Sequence, residues 1–460
     1  MKNIIKYISV IVGLTLGSCS LDIDHQDVIL DEDVLTTVDD ANKMMIGAYG
    51  SMPTFGPIEI SSRIGDDLRL ASTNTGGGVQ IHTWTINSST NEASGNWSSR
   101  FFPILIVNKL LEGVGNVKAS SASEEEKLAQ YKAEAHALRG YMHFELLRLF
   151  GEYNNLSSEF GVPYVTKSGI ETPARLSVIE SYNGIEADLL KAYELMPESL
   201  DDKTRITKDA VVAMLSRLYL YKQDYTKAIE FSSMSIQNYN LSTIANYNKL
   251  WSDEDDTEII WAYEYLPNEN IRLGDMFTSY LNGNIQFHPS YSIVNEVSAN
   301  ENDIRNSVIY NVRADGELVV AKYLGTETNT GLALTKLFRI SEQYLIRSEA
   351  YARSGELSLS ADDYNRLRSN RIEGNVDVVF NSDDIALESI LSERRLELAY
   401  EGHRWFDLKR FNEGIERLDE DIELIPEYKV LNTDSHKFMY LPIPQDELFA
   451  NDNMKQNNGY

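Results

Sequence analysis

At 460 residues, 42% of them apolar, the chain is long enough to bury a substantial core, which excludes intrinsic disorder as a description of the whole. Its 42 basic and 70 acidic residues leave a net charge of −28, a field that repels phosphate backbones and excludes sequence-independent nucleic-acid binding. A single cysteine excludes intrachain disulfides, CxxC redox pairs and cysteine-rich zinc sites.

The chain opens with Lys2 and Lys6, followed by the uncharged apolar run Tyr7–Gly17. That run is too short to span about 30 Å of hydrocarbon but suits the core of a signal peptide. It ends in Leu16-Gly17-Ser18-Cys19, which resembles the bacterial lipobox, where the cysteine is diacylated and becomes the first mature residue. On that reading, residues 1–18 are a removed signal peptide and 19–40 a tether moored in outer-membrane lipid through Cys19. The competing reading is an ordinary secretory signal with an incidental cysteine. The acidic stretch Ser20–Asp27 is similar to the export signal of surface-exposed lipoproteins, and reads equally as a solvated tether. No later segment offers 18 uninterrupted apolar residues, so no transmembrane helix is expected.

Residues 41–460 read as one mainly α-helical globule. Lys127–Gly151 carries apolar residues at helical spacing, and Gly151 is a natural stop. Ser177–Met196 is a second helix, with Ser177 as N-cap, Glu180 three residues on and Pro197 beyond its end. Thr207–Gln237 reads as two amphipathic helices around a turn at Lys222-Gln223-Asp224. There Val212, Leu215, Ser216, Tyr219, Tyr225 and Ala228 follow tetratricopeptide-repeat spacing, in which small residues let helices approach and tyrosines fill the groove. Phe338–Ser360 repeats the first half with Tyr344, Ser348, Tyr351 and Gly355, and Asp363–Arg371 begins its partner helix. No strict 34-residue period runs through the chain, so scattered helical hairpins are expected, not a regular solenoid.

Two segments, about 53–97 and 262–335, have a different texture: rich in Asn, Gly, Ser and Thr, with helical periodicity fading. Within the first, the alternation over Val79–Ile86 predicts a short strand. Such loop-rich insertions on a rigid scaffold are where binding usually resides.

Ile390–Phe411 (ILSERRLELAYEGHRWFDLKRF) and Leu441–Tyr460 (LPIPQDELFANDNMKQNNGY) carry the most specific patterns of the chain. With Trp97-x3-Phe101-x2-Ile104-x3-Asn108, Ala133–Gly151, Asn302–Arg305, Lys322-Tyr323 and Arg339–Ala350, they make the chain resemble the SusD/RagB family of outer-membrane nutrient-binding lipoproteins over essentially its whole length. The resemblance implies a helix-rich, lipid-anchored lid over a SusC-like TonB-dependent outer-membrane transporter, facing the cell exterior and capturing glycans or related nutrients.

The Glu393, Glu397, Glu401 and Asp407 carboxylates, with Arg394, Arg395 and Arg404, invite an active-site reading or, alternatively, an ion-pair network holding the C-terminal helices; the family comparison supports the scaffold. His136 and His143 stand seven apart, not at the i, i+4 spacing of HExxH. G-x-S-x-G, Walker-type and GxGxxG motifs are absent, so neither metal nor cofactor is expected. A neutral sugar needs flat apolar faces for its C–H surfaces and planar polar groups for its hydroxyl pairs. Trp84, with Asp66, Asp67 and Arg69 shortly before it, offers both, unless Trp84 packs in the core. Tyr280, Phe287 and Tyr291 are further candidates. The expectation is a non-catalytic glycan-binding lipoprotein; a lipid-anchored glycoside hydrolase and a helical-repeat adaptor for peptides or proteins are the rivals.

Overall fold

The computed structural model describes residues 35–460 except 54, 199, 266–270 and 327–328. Segment 1–18, Cys19 and most of the tether lie outside the described residues. Helix α1 (Val38–Gly50) starts at a capping box: Thr37 Oγ1 accepts the Asp40 N–H at 3.1 Å, and the Asp40 carboxylate accepts the Thr37 N–H at 2.9 Å. The helical body thus begins at Val38, just inside the segment read as tether.

Among the described residues, the other helices of eight residues or longer are α2 (Gly56–Ile64), α3 (Asn91–Gly113), α4 (Ala122–Phe150), α5 (Val178–Leu195), α6 (Lys208–Tyr221), α7 (Tyr225–Asn238), α8 (Tyr291–Ser298), α9 (Ile340–Arg353), α10 (Leu357–Ser369), α11 (Asp383–Glu397) and α12 (Arg404–Phe411). Four two-stranded antiparallel ladders accompany them. β1 (Leu68–Leu70) pairs with β3 (Phe287–Pro289), and β2 (Ile259–Tyr263) with β6 (Thr335–Arg339). β4 (Tyr310–Val312) pairs with β5 (Leu318–Val320), and β7 (Ile415–Glu416) with β8 (Val430–Leu431). The chain is therefore mainly α-helical, built on hairpins of the tetratricopeptide kind.

The expected helices are present. Ser177 and Glu180 form the capping box that opens α5. The α6–α7 turn falls at 222–224, with Gln223 in the left-handed region at φ 62°. Tyr219 of α6 stacks on Phe231 of α7 at 5.4 Å between centroids, filling the groove as the repeat pattern requires. Two boundaries differ: α4 starts at Ala122, not Lys127, and the partner of α9 starts at Leu357, not Asp363. Gly355, at φ 79°, reverses the chain immediately after α9, so the next helix begins as soon as the turn closes.

The strand expected at Val79–Ile86 is a helical turn, Val79–His82. Gly78, at φ 71°, bends the chain into it, and the Thr83 N–H bonds back to the Val79 carbonyl at 2.8 Å instead of to a neighbouring strand. The alternation reflects a short segment buried on several sides, with Ile81, His82, Trp84 and Ile86 all in the interior.

Two apolar cores adjoin. The larger joins the helical hairpins around Trp97, Trp261 and Trp405; the smaller lies beneath the irregular segments around Trp251, Phe277, Phe287 and Tyr400. Strand β2 divides them: register shifts put Ile260 and Trp261 in the first core and Ile259 and Ala262 in the second.

A buried ion-pair network locks the C-terminal helices to this strand pair. Arg339 reaches Glu258 at 2.8 Å and Glu401 at 2.7 Å, Arg371 reaches Glu258 at 2.6 Å and Glu397 at 2.9 Å, and Lys322 reaches Glu401 at 2.7 Å. Arg305 adds Asp303 at 2.7 Å and Glu393 at 2.5 Å. Burial alone would raise the Glu397 carboxyl, but the guanidiniums of Arg371 and Arg339 hold it well below the usual range.

Candidate functional site

The residues expected to bind ligand separate into two groups. Asp66 and Asp67 follow α2 and are buried against the C-terminal helices: Arg404 clasps Asp66 through two bonds of 2.8 Å, and Arg395 bonds Asp67 at 2.8 Å. Burial opposes the charge of Asp66, yet Arg395 and Arg404 hold its carboxyl below the ordinary value; for Asp67 burial prevails and raises it. Their oxygens are committed to the scaffold. Phe287 is wholly buried, with the His82 ring at 5.3 Å and the Arg63 guanidinium at 5.1 Å.

Trp84 is 7% exposed. At φ 54° its backbone turns the side chain inward, where the indole N–H donates to the Ile64 carbonyl at 3.0 Å. Tyr428 meets the ring edge-on at 6.2 Å and Arg417 covers it at 4.4 Å. The core reading of Trp84 holds, and it offers no stacking face. The expectation that Asp66, Asp67, Trp84 and Phe287 present themselves to ligand is corrected on this ground.

Arg69, Tyr280 and Tyr291 do reach the surface. Arg69 sits 4.6 Å over the Tyr291 ring, which is 37% exposed, and Arg272 sits 4.4 Å over Tyr280. Each of these rings already has a guanidinium over one face.

A cleft that the sequence did not assign lies between the irregular segments. Phe55, at the start of α2, meets Tyr265, just beyond β2, with ring centroids 4.9 Å apart, and Tyr263 lies 4.7 Å from Tyr265. The hollow they border is about 400 Å³ and is rimmed by Glu59, Asn91, Glu92, Asn96 and Ser99. Apart from Ser99, every described residue lining it belongs to 53–97 or 262–335. Strand β2 fixes Tyr265 from one side; α2 and the first turns of α3 fix Phe55 and the polar rim from the other. Asn96 is held by Arg100, whose Nη1 donates to its carbonyl at 2.7 Å and its Oδ1 at 3.0 Å, leaving the amide nitrogen to the Glu92 carbonyl at 2.8 Å.

Tyr265 also lines a second hollow of about 460 Å³, bordered by Lys203, Thr204, Asp256, Glu264, Thr326 and Asn329. Volumes of this order suit small-molecule ligands. A third hollow of about 400 Å³ along α3 is walled by Trp97, Phe101, Phe102, Leu105 and Ile170, with Ser98, Lys167, Glu171 and Glu447 also on its lining. Among the described residues, no three His, Cys, Asp or Glu side chains are grouped to hold a metal ion, and no helix is long and apolar enough to cross a membrane.

Two family models match the chain, "Starch-binding associating with outer membrane" over residues 27–220 and "SusD family" over residues 239–460. The SusD-like protein P2 of Formosa agariphila is 25% identical, covering 99% of each chain. A SusD-like protein of Bacteroides ovatus is 22% identical over 72% of this chain and 67% of that one. Among solved structures, a SusD superfamily protein of Bacteroides thetaiotaomicron superposes with a TM-score of 0.81 at 23% identity, covering 92% of this chain and all of that one. A SusD-like carbohydrate binding protein of Bacteroides vulgatus superposes with a TM-score of 0.79 at 20% identity, covering 91% and 98%. The two matches, over residues 27–220 and 239–460, together with this fold, place the protein in the SusD/RagB family.

Proposed function

We propose that the protein is a cell-surface lipoprotein that binds glycan without transforming it and passes it to a SusC-like TonB-dependent transporter in the outer membrane, with Cys19 carrying the acyl anchor. The observation that carries this reading is the Phe55–Tyr265 cleft, where aromatic faces from two distant irregular segments meet beside a rim of amides and carboxylates. Rings of this kind cover the C–H surfaces of a sugar, and planar polar groups pair its hydroxyls; a few such anchors carry most of the affinity. The description of the N-terminal family match, starch-binding in association with the outer membrane, supports both the ligand class and the location.

The hydrolase reading depended on Glu393, Glu397 and Glu401. A general acid needs access to substrate and a raised pKa, whereas these three are sealed in ion pairs with Arg305, Arg371 and Arg339. Affinity electrophoresis tests the proposal. In gels containing the cognate polysaccharide the mature protein is retarded, Tyr265→Ala runs as in a blank gel, and no reducing ends appear. Release of reducing ends, or no retardation across a broad polysaccharide panel, refutes it.

A further inference from the structure

The two hollows that share Tyr265 bear on what kind of glycan is taken. Tyr265 lines both: Phe55 and the Asn91–Asn96 rim border one hollow, and Thr204, Thr326 and Asn329 border the other. A single sugar would use one hollow, while a chain running past Tyr265 uses both.

The charges around them are unevenly available. The guanidiniums beside the first hollow among the described residues, those of Arg63 and Arg100, are buried. Arg63 is 6% exposed and paired with Glu59, and Arg100 is wholly buried behind Gly56, its Nη1 spent on Asn96. At the second hollow, Lys203 is paired with Asp256 at 2.8 Å, and the buried Lys336 with Asp253 at 2.7 Å. Against these stand Glu92 on one rim and Glu264 on the other, neither in an ion pair among the described residues. Carboxylates a few ångströms from a ligand lie inside the Debye length of about 8 Å at physiological salt, so their field is felt there, and the net charge of −28 adds to it. Among the described residues, a uronate or sulfate in this site would find no free cation to pair with and two carboxylates to repel it.

Resting on the glycan-binding reading above, we infer that the site takes an uncharged glycan chain long enough to occupy both hollows around Tyr265, and rejects uronic-acid and sulfated polysaccharides. The decisive experiment is affinity electrophoresis at 150 mM salt against a panel of neutral polysaccharides (β-glucans, xylans, mannans, α-glucans) and anionic ones (alginate, polygalacturonate, carrageenan). Calorimetry follows, with a length series of oligosaccharides from whichever polymer retards the protein. Neutral polymer is expected to retard it and anionic polymer not. Affinity should rise at least tenfold from the single sugar to a chain spanning both hollows, and Tyr265→Ala should abolish binding at every length while keeping the wild-type circular dichroism spectrum. Glu92→Lys combined with Glu264→Lys should gain retention on anionic polymer.

Retention on anionic polymer that Tyr265→Ala removes would overturn this inference while leaving glycan binding in place. Affinity independent of chain length would overturn the two-hollow assignment. Absence of binding to any polymer, or neutral binding indifferent to Tyr265→Ala, would overturn the site and with it this inference.

Discussion

Replacing Trp84 by alanine separates two physical roles that the residue type alone leaves open. In the structure the indole is buried, bonded through its N–H to the Ile64 carbonyl at 3.0 Å and covered by Arg417 at 4.4 Å. Removing a core tryptophan typically costs about 3–5 kcal/mol in lost packing and residual cavity. The loss of the N–H bond adds about 1 kcal/mol, because the carbonyl keeps a partner: Arg417 Nη2 also donates to Ile64, at 3.1 Å. The left-handed backbone, at φ 54°, offers no relief, since alanine is strained there too. The expected loss is therefore about 4–6 kcal/mol, a large part of the roughly 5–15 kcal/mol that holds a typical folded domain together. Urea unfolding followed by circular dichroism should show a markedly lower midpoint, and the fraction that stays folded should bind polysaccharide as the wild type does. A Trp84→Ala protein of undiminished stability that has lost its ligand would refute this reasoning and restore Trp84 as a stacking face.

Truncating Phe55 to alanine should weaken polysaccharide binding by about 1–3 kcal/mol, read by calorimetry, with little change in the unfolding midpoint. Glu397→Gln should destabilise by about 3–5 kcal/mol in chemical unfolding, because it leaves Arg371 and Arg339 buried against a neutral partner. Glu349 is buried and its carboxyl is lowered from 4.5 to about 2: burial opposes this, and Arg410 and Arg353 outweigh it. A depressed acid stabilises the fold above its unfolded pKa, so this contribution is full above pH 4.5 and fades as pH falls toward 2; unfolding midpoints measured across that window should drop, less steeply in Glu349→Gln.

Much of the scaffold is legible in the sequence because its causes are local. Ser177 with Glu180 opens a helix, Gly355 ends one, and the spacing from Val212 to Ala228 places a helical hairpin, each through neighbours within a turn or two. The binding surface is set by partners that local composition does not reveal. Asp66 and Asp67 stand among loop-forming residues and look exposed, yet Arg404 and Arg395, more than 300 positions away, bury them. Trp84 looks like a loop tryptophan until its positive φ turns the ring inward. Phe55 and Tyr265 carry no motif, and what marks them is that each falls in an irregular segment; that the two segments meet is decided by where β2 and α2 are held by the two cores. Arg69 and Tyr291, which the sequence offers as ligand-binding candidates, stack on each other.

The central claim is that Tyr265 is where carbohydrate docks. A crystal structure of the protein soaked with an oligosaccharide from the polymer that retards it puts this to the test most directly. A sugar ring should lie on the Tyr265 face, with its hydroxyls bonded to the rim around Asn91 and Asn96 and further rings continuing toward Asn329. Sugar bound on the Arg69–Tyr291 surface or in the apolar hollow along α3, with both hollows beside Tyr265 empty, would contradict it.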